Sequence, residues 1–120
     1  MKKKIIIADD DYHILQLLSF ILNDYEIYTA QNGEEVFQLL EKVSPDLILL
    51  DVMMPKINGY QTCQLLKADE KTKHIRVAII SAKSEKKDFV EGIKCGADFY
   101  FSKPFDTRLI QSKVSEILAF

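Results

Sequence analysis

A chain of 120 residues, 48% hydrophobic and 28% charged, is long enough for one domain with a self-supporting core and ordinary in composition for a globular protein. A net charge of −2 offers no bulk attraction to nucleic acid or to an anionic membrane surface. The basic start Lys2-Lys3-Lys4 is followed by only Ile5 to Ala8 before three aspartates, too short an apolar run for a signal segment or a membrane span.

Lys4 to Ala8 is a strand by its β-branched run. It leads into Asp9, Asp10 and Asp11. A helix follows over Tyr12 to Asn23, with Ile14, Leu15, Leu18, Ile21 and Leu22 as its inward stripe. Leu17 and Phe20 fall on the opposite side, as residues partly covered by neighbours or as a docking surface for another helix. Glu26 to Ala30 alternates and carries polar groups, as an edge strand does. Asn32 is placed to cap the next helix, with Glu35 as its capping-box partner; Val36, Leu39, Leu40 and Val43 make the apolar face and Pro45 stops it.

Leu47 to Leu50 is an uninterrupted apolar run, a strand buried on both faces, and it ends in Asp51. A carboxylate there is costly unless a partner or a chemical task holds it. Asn58-Gly59 reads as turn chemistry, followed by a helix over Tyr60 to Ala68 with Cys63 and Leu66 inward. Val77 to Ser81 is a second fully apolar strand ending in a polar residue. Ser84 is placed to cap a helix from Glu85 to Cys95, closed by Gly96. Phe99 to Lys103 is the fifth strand, and Asp106 or Thr107 caps a last helix to about Ala119, with Leu109, Ile110, Val114, Ile117 and Leu118 apolar. The two cysteines, Cys63 and Cys95, fall on helical apolar patterns without metal-ligand spacing. They read as free buried thiols, which suits a cytoplasmic protein.

Five strand-helix units imply a parallel sheet with right-handed crossovers. Strands one, three and four are the apolar ones and belong in the centre. The flavodoxin-like order 2-1-3-4-5 meets that requirement and makes a (βα)5 three-layer α/β sandwich, a single domain over residues 1–120. Its crevice lies at the C-terminal ends of the strands, where the order reverses. Strand one delivers Asp9 and Asp10 there, strand three Asp51, strand four Ser81 and strand five Lys103. Crowded carboxylates share protons or take a cation. Oxygen ligands in small number favour Mg²⁺ (or Mn²⁺) over Zn²⁺. Lysine as a compact charge and serine as a hydroxyl donor suit a phosphoryl group, with Asp51 as the nucleophile.

These residues resemble the receiver domain of bacterial two-component response regulators. The resemblance covers the whole chain and rests on Asp9-Asp10, Asp51 followed by Met54-Pro55 and Gly59, Ser81-Ala82, and Gly96-Ala97-Asp98 leading to Tyr100 and Lys103-Pro104-Phe105. It implies that Asp51 is phosphorylated by a sensor histidine kinase or a histidine phosphotransferase. It also implies that Asp10, Asp51 and the backbone carbonyl of Met53 ligate the metal directly, and that Asp9 does so through water. Ser81 and Lys103 would hold the phosphoryl group. Ser81 and Tyr100 would rearrange together, changing the face made by the fourth helix, fifth strand and fifth helix for a downstream effector protein. The Lys103–Pro104 bond is expected to be cis.

Some positions depart from common members of the family. Serine replaces the frequent threonine at 81, and Phe99 and Lys113 stand where transcription-factor members often carry an acid and an arginine. Met53 and Lys83 stand where fast-hydrolysing members often offer an amide or acid, so a persistent phosphoryl state is expected. Leu17 and Phe20 are the expected kinase-side surface. Lys86, Lys87, Lys94, Arg108 and Lys113 can lend charge to the effector face. His13 and His74 lack a supporting acid and read as solvated. A flavin or nucleotide binder would need a phosphate-cradling loop where Asp9 to Asp11 stand. An aspartate-nucleophile phosphohydrolase, the enzyme-class alternative, would want a second acid at Met53. With no helix-turn-helix or basic patch in the sequence, the chain reads as a stand-alone receiver or as the receiver fragment of a longer transcriptional regulator.

Overall fold

A computed structural model describes residues 2–82 and 94–119. The sheet has five parallel strands, β1 (Lys4–Ala8), β2 (Glu26–Ala30), β3 (Leu47–Asp51), β4 (Arg76–Ser81) and β5 (Phe99–Ser102), in the order β2-β1-β3-β4-β5. The three apolar strands take the centre because only there are both faces of a strand covered. β3 has all five residues buried, whereas edge strand β2 buries only Ala30.

Four described helices cover the sheet: α1 (Tyr12–Ile21), α2 (Gly33–Leu40), α3 (Gly59–Ala68) and a C-terminal helix (Thr107–Ile117). On one side, Leu15, Leu18, Ile110, Val114 and Ile117 of α1 and the C-terminal helix pack on Ile5, Ile7, Leu47, Leu49, Ala78, Ile80 and Phe101. On the other, Val36, Cys63 and Leu66 of α2 and α3 pack on Ile6, Ala8, Ile48, Leu50, Val77 and Ile79. Successive strand residues point to opposite faces, so each strand feeds both cores.

Differences from the sequence reading are local. α1 stops at Ile21, with Leu22 as its C-cap. Asn32 accepts the Glu35 backbone N–H at 2.9 Å as expected, but the Glu35 carboxylate takes the Gln31 N–H instead of closing the box on Asn32. The complete capping box is at α3: Asn58, read from sequence as part of a turn, accepts from Gln61 N, and the Gln61 side chain accepts from Asn58 N. α3 therefore begins one residue earlier than expected, at Gly59. β5 ends at Ser102, so Lys103 lies just beyond it. Leu109 of the C-terminal helix is 51% exposed. The Lys103–Pro104 bond is cis. Cys63 and Cys95 are buried and form no disulfide with each other, and the Cys63 thiol donates to the Cys95 carbonyl at 3.3 Å. Most of the helix expected over 85–95, with its cap Ser84 and with Lys83, Lys86 and Lys87, lies outside the described residues. Gly96, expected to close it, has φ +83°, the left-handed region that glycine occupies without strain.

Candidate functional site

The register of the sheet brings the site together. Ala8 pairs with Leu50, so Asp9 and Asp51 are the next residues along two adjacent strands. Alternation does the rest. Ile5, Ile7, Leu47, Leu49, Phe99 and Phe101 all belong to the α1 side of the sheet. Two residues on from each column come Asp9, Asp51 and Lys103, so all three fall on that side at the C-terminal edge. Lys103 Nζ bridges the two acids, 2.9 Å from Asp51 Oδ1 and 3.2 Å from Asp9 Oδ2. Both carboxylates are almost wholly buried, and Lys103 keeps a fifth of its side chain exposed. Asp10 is exposed, yet one oxygen from each of Asp9, Asp10 and Asp51 fits within 4.8 Å of the others.

The backbone around these side chains is tied down by its own hydrogen bonds. Asp9 Oδ1 accepts the Asp11 N–H at 2.9 Å, and Asp11 in turn caps α1 by accepting from His13 N. After β3, Val52 N donates to Ile80 O, and Met54 N and Gly59 N both donate to Val52 O at 3.1 Å. The chain thus turns sharply, with Met53 at the tip and 63% exposed. Lys103 N donates to the Ser81 carbonyl at 2.6 Å, which holds the residue after β5 against the end of β4. Ser81 is buried. By alternation it continues the column of Val77 and Ile79, on the side where Tyr100 is half-buried. Tyr100 pairs with Ile79 and Ser102 with Ser81, so Ser81 and Tyr100 stand one step apart on one face.

Burial sets the electrostatics. It pushes the Asp51 carboxyl above its ordinary range; the Lys103 hydrogen bond opposes this and the charge of Asp9 adds to it. Asp9 is also raised by burial, against the Asp11 N–H and Lys103. Burial alone would lower Lys103, but the Asp51 hydrogen bond and the charges of Asp51 and Asp9 outweigh it and raise the ammonium's pKa. Three carboxylates against one ammonium leave a charge deficit of two. An all-oxygen donor set with that deficit fits a hard divalent cation.

Asp9, Asp10, Asp51, Met53, Ser81 and Lys103 therefore lie at one edge of the sheet, with Tyr100 one step back inside β5. Sequence reasoning assigned Lys103 to the phosphoryl group and missed its contact with Asp9. It also missed Asp11 as the cap of α1, although an aspartate immediately before an apolar-periodic segment is the usual signal of one. Gly59 was placed in a turn, whereas it lies against the site: a Cβ there would stand 2.3 Å from the Asp51 carbonyl oxygen.

Comparison with known proteins agrees with this geometry. Residues 5–115 match the family described as response regulator receiver domain. The chain is 39% identical over 120 residues to the alkaline phosphatase synthesis transcriptional regulatory protein PhoP of Bacillus subtilis (strain 168), covering 98% of this chain and 49% of that protein. It spans about half the length of the curated relatives it matches. Among solved structures, the signal receiver domain of a signal transduction histidine kinase from Syntrophus aciditrophicus superposes with a TM-score of 0.92 at 32% identity, over 98% of this chain and 90% of that one. Response regulator DrrB, a Thermotoga maritima OmpR/PhoB homolog, gives 0.89 at 29% identity, over 99% of this chain and 54% of that one.

Proposed function

Because the chain belongs to the response regulator receiver domain family, we propose that Asp51 is the phosphoacceptor of a two-component phosphorelay, charged by a sensor histidine kinase or a histidine phosphotransferase. The observation that carries this reading is the Lys103 ammonium spanning Asp51 and Asp9, with Asp10 alongside, at the crevice end of the sheet. The domain's own chemistry is limited to taking up and losing the phosphoryl group.

An Asp51 carboxylate oxygen attacks the phosphorus of a phosphohistidine. The new O–P bond forms as the P–N bond breaks, and its electron pair returns to the imidazole. Asp10, Asp51 and the Met53 carbonyl would hold Mg²⁺ (or Mn²⁺) directly and Asp9 through a water. Bound there, the metal neutralises negative charge on the phosphoryl oxygens. Lys103 turns from Asp51 to a phosphoryl oxygen and Ser81 donates its hydroxyl to another. Drawing Ser81 to the phosphoryl group biases Tyr100 on the same face. The surface of β5 and the C-terminal helix then favours a downstream effector protein by population shift. Met53 is exposed at the mouth of the site and offers an attacking water no hydrogen-bonding side chain, so the phosphoryl state should outlast that of chemotaxis-type receivers. A decay measurement matching theirs would contradict this.

No helix among the described residues is long and apolar enough to cross a membrane, and we place the receiver in the cytoplasm. We take residues 1–120 as one receiver domain. Because curated relatives of twice its span include named transcriptional regulators, the second reading is that it forms the receiver half of such a regulator. Acetyl phosphate with Mg²⁺ tests the central claim. Intact mass should rise by one phosphoryl group, EDTA should prevent the rise and Asp51→Asn should abolish it. Normal labelling of Asp51→Asn would assign the nucleophile elsewhere.

A further inference from the structure

Met53 is exposed, whereas its neighbours Val52 and Met54 are buried and pack in the core beside α2 and α3. The Val52 carbonyl accepts the Met54 N–H at 3.1 Å, so the chain makes a three-residue turn with Met53 at its apex. The apex side chain is directed away from that core, on the side of the sheet where Asp51 lies two residues back. A thioether at the mouth of the site is at most a weak acceptor and carries no charge. It is still a reactive group. Peroxides oxidise exposed methionine sulfur, and the product is a polar sulfoxide.

We propose that Met53 is a reversible oxidation site whose sulfoxide shortens the life of the aspartyl phosphate on Asp51. The proposal rests on the phosphoacceptor reading of Asp51 and adds a chemical input that this reading does not contain. The sulfur lone pair attacks one oxygen of hydrogen peroxide. The S–O bond forms as the O–O bond breaks, and the departing hydroxide takes the proton left on the transferred oxygen and becomes water. Sulfur is oxidised and the peroxide reduced. A thiol-dependent reductase reverses the step, two thiols yielding one disulfide and water. Hydrolysis of the aspartyl phosphate needs a water in line with phosphorus. Its O–P bond forms as the bond to the Asp51 oxygen breaks, the carboxylate leaves with the electron pair, and a water proton passes to solvent. The sulfoxide oxygen accepts a hydrogen bond from that water and holds it in line, which the thioether does not do. One hydrogen bond gained in that transition state is equivalent to about threefold to tenfold in rate.

The test labels the full chain with acetyl phosphate and Mg²⁺, removes excess reagent and follows decay by intact mass, with and without earlier treatment with dilute hydrogen peroxide. Fragment masses should place an added oxygen on Met53 ahead of buried Met54. Decay should quicken by that factor over the same protein untreated, and methionine sulfoxide reductases with a thiol should restore the slow rate. Met53→Leu, which keeps Met54 and both cysteines, should decay at one rate with and without peroxide. Met53→Gln brings an acceptor oxygen without oxidation and should decay faster than Met53→Leu. Oxidised Met53 with unchanged decay overturns the proposal. An equal quickening in Met53→Leu also overturns it, by placing the reactive group elsewhere. Untreated wild type that takes up no phosphoryl group removes the phosphoacceptor reading and this proposal with it, whereas labelled protein indifferent to peroxide removes this proposal alone.

Discussion

Asp51 is ionised at a cost. Burial raises its carboxyl above the ordinary value of 3.8, so the folded chain holds that proton to a higher pH than the unfolded chain does. As pH climbs from 3.8 through the raised value, the unfolded state sheds the proton first, and stability falls. The loss is complete once the folded state has also shed the proton. Asp51→Asn removes the charge and keeps the shape. In metal-free buffer at a pH where Asp51 is ionised it should therefore be more stable than wild type in urea unfolding. The advantage should fade below pH 3.8 and shrink when Mg²⁺ is added. A less stable Asp51→Asn at that pH would mean that the Lys103 pairing outweighs burial. Lys103 has the opposite linkage. Its raised pKa contributes stability that is fully present below 10.5 and lost as pH rises through the raised value.

At the scale of elements, the site depends on how tightly helices start behind strand ends. Asp11, Asn58 and Asp106 cap α1, α3 and the C-terminal helix through backbone N–H groups two or three residues on. Asn58 brings α3 so close to β3 that its first residue has room only for hydrogen. A Cβ on Gly59 would meet the Asp51 carbonyl oxygen at 2.3 Å, Asp51 C at 2.9 Å and Val52 Cα at 3.0 Å. All three are backbone atoms, so no rotamer change relieves the clash. Gly59→Ala should cost about 1–3 kcal/mol in thermal or urea unfolding and slow acetyl phosphate labelling, because whatever yields moves Asp51. A variant as stable and as quickly labelled as wild type would show that α3 shifts away freely.

For the whole molecule, two cores on opposite faces of one sheet leave the outward side of α1 uncovered among the described residues. Phe20 is 73% exposed and Leu17 40%, although phenylalanine and leucine are residues a fold ordinarily buries. If this face receives the donor's helix, Phe20→Ala should leave Tm and acetyl phosphate labelling unchanged, since it touches neither core nor site. It should slow phosphoryl transfer from a histidine kinase by roughly tenfold, the effect of losing one aromatic anchor. An equal loss in both assays would place Phe20 in folding instead of docking.

The amino-acid order by itself pointed to the strand-helix alternation, the central and edge strands and the residues expected at the site. Those features are written in local periodicity, in β-branched runs and in carboxylates where burial alone would exclude them. The buried run from Leu47 to Asp51 and the mixed strand Glu26 to Ala30 were legible for that reason. What sequence could not supply was register. Only the pairing of Ala8 with Leu50 and of Ser81 with Ser102 decides that Asp9, Asp51 and Lys103 share one face. That pairing likewise sets Ser81 and Tyr100 together on the other. The Lys103–Asp9 contact, the fit of Gly59 against the Asp51 carbonyl and the complete capping box at Asn58 likewise depend on distances of tenths of an ångström. Periodicity carries no such distances, because they are fixed by packing between segments far apart in the chain.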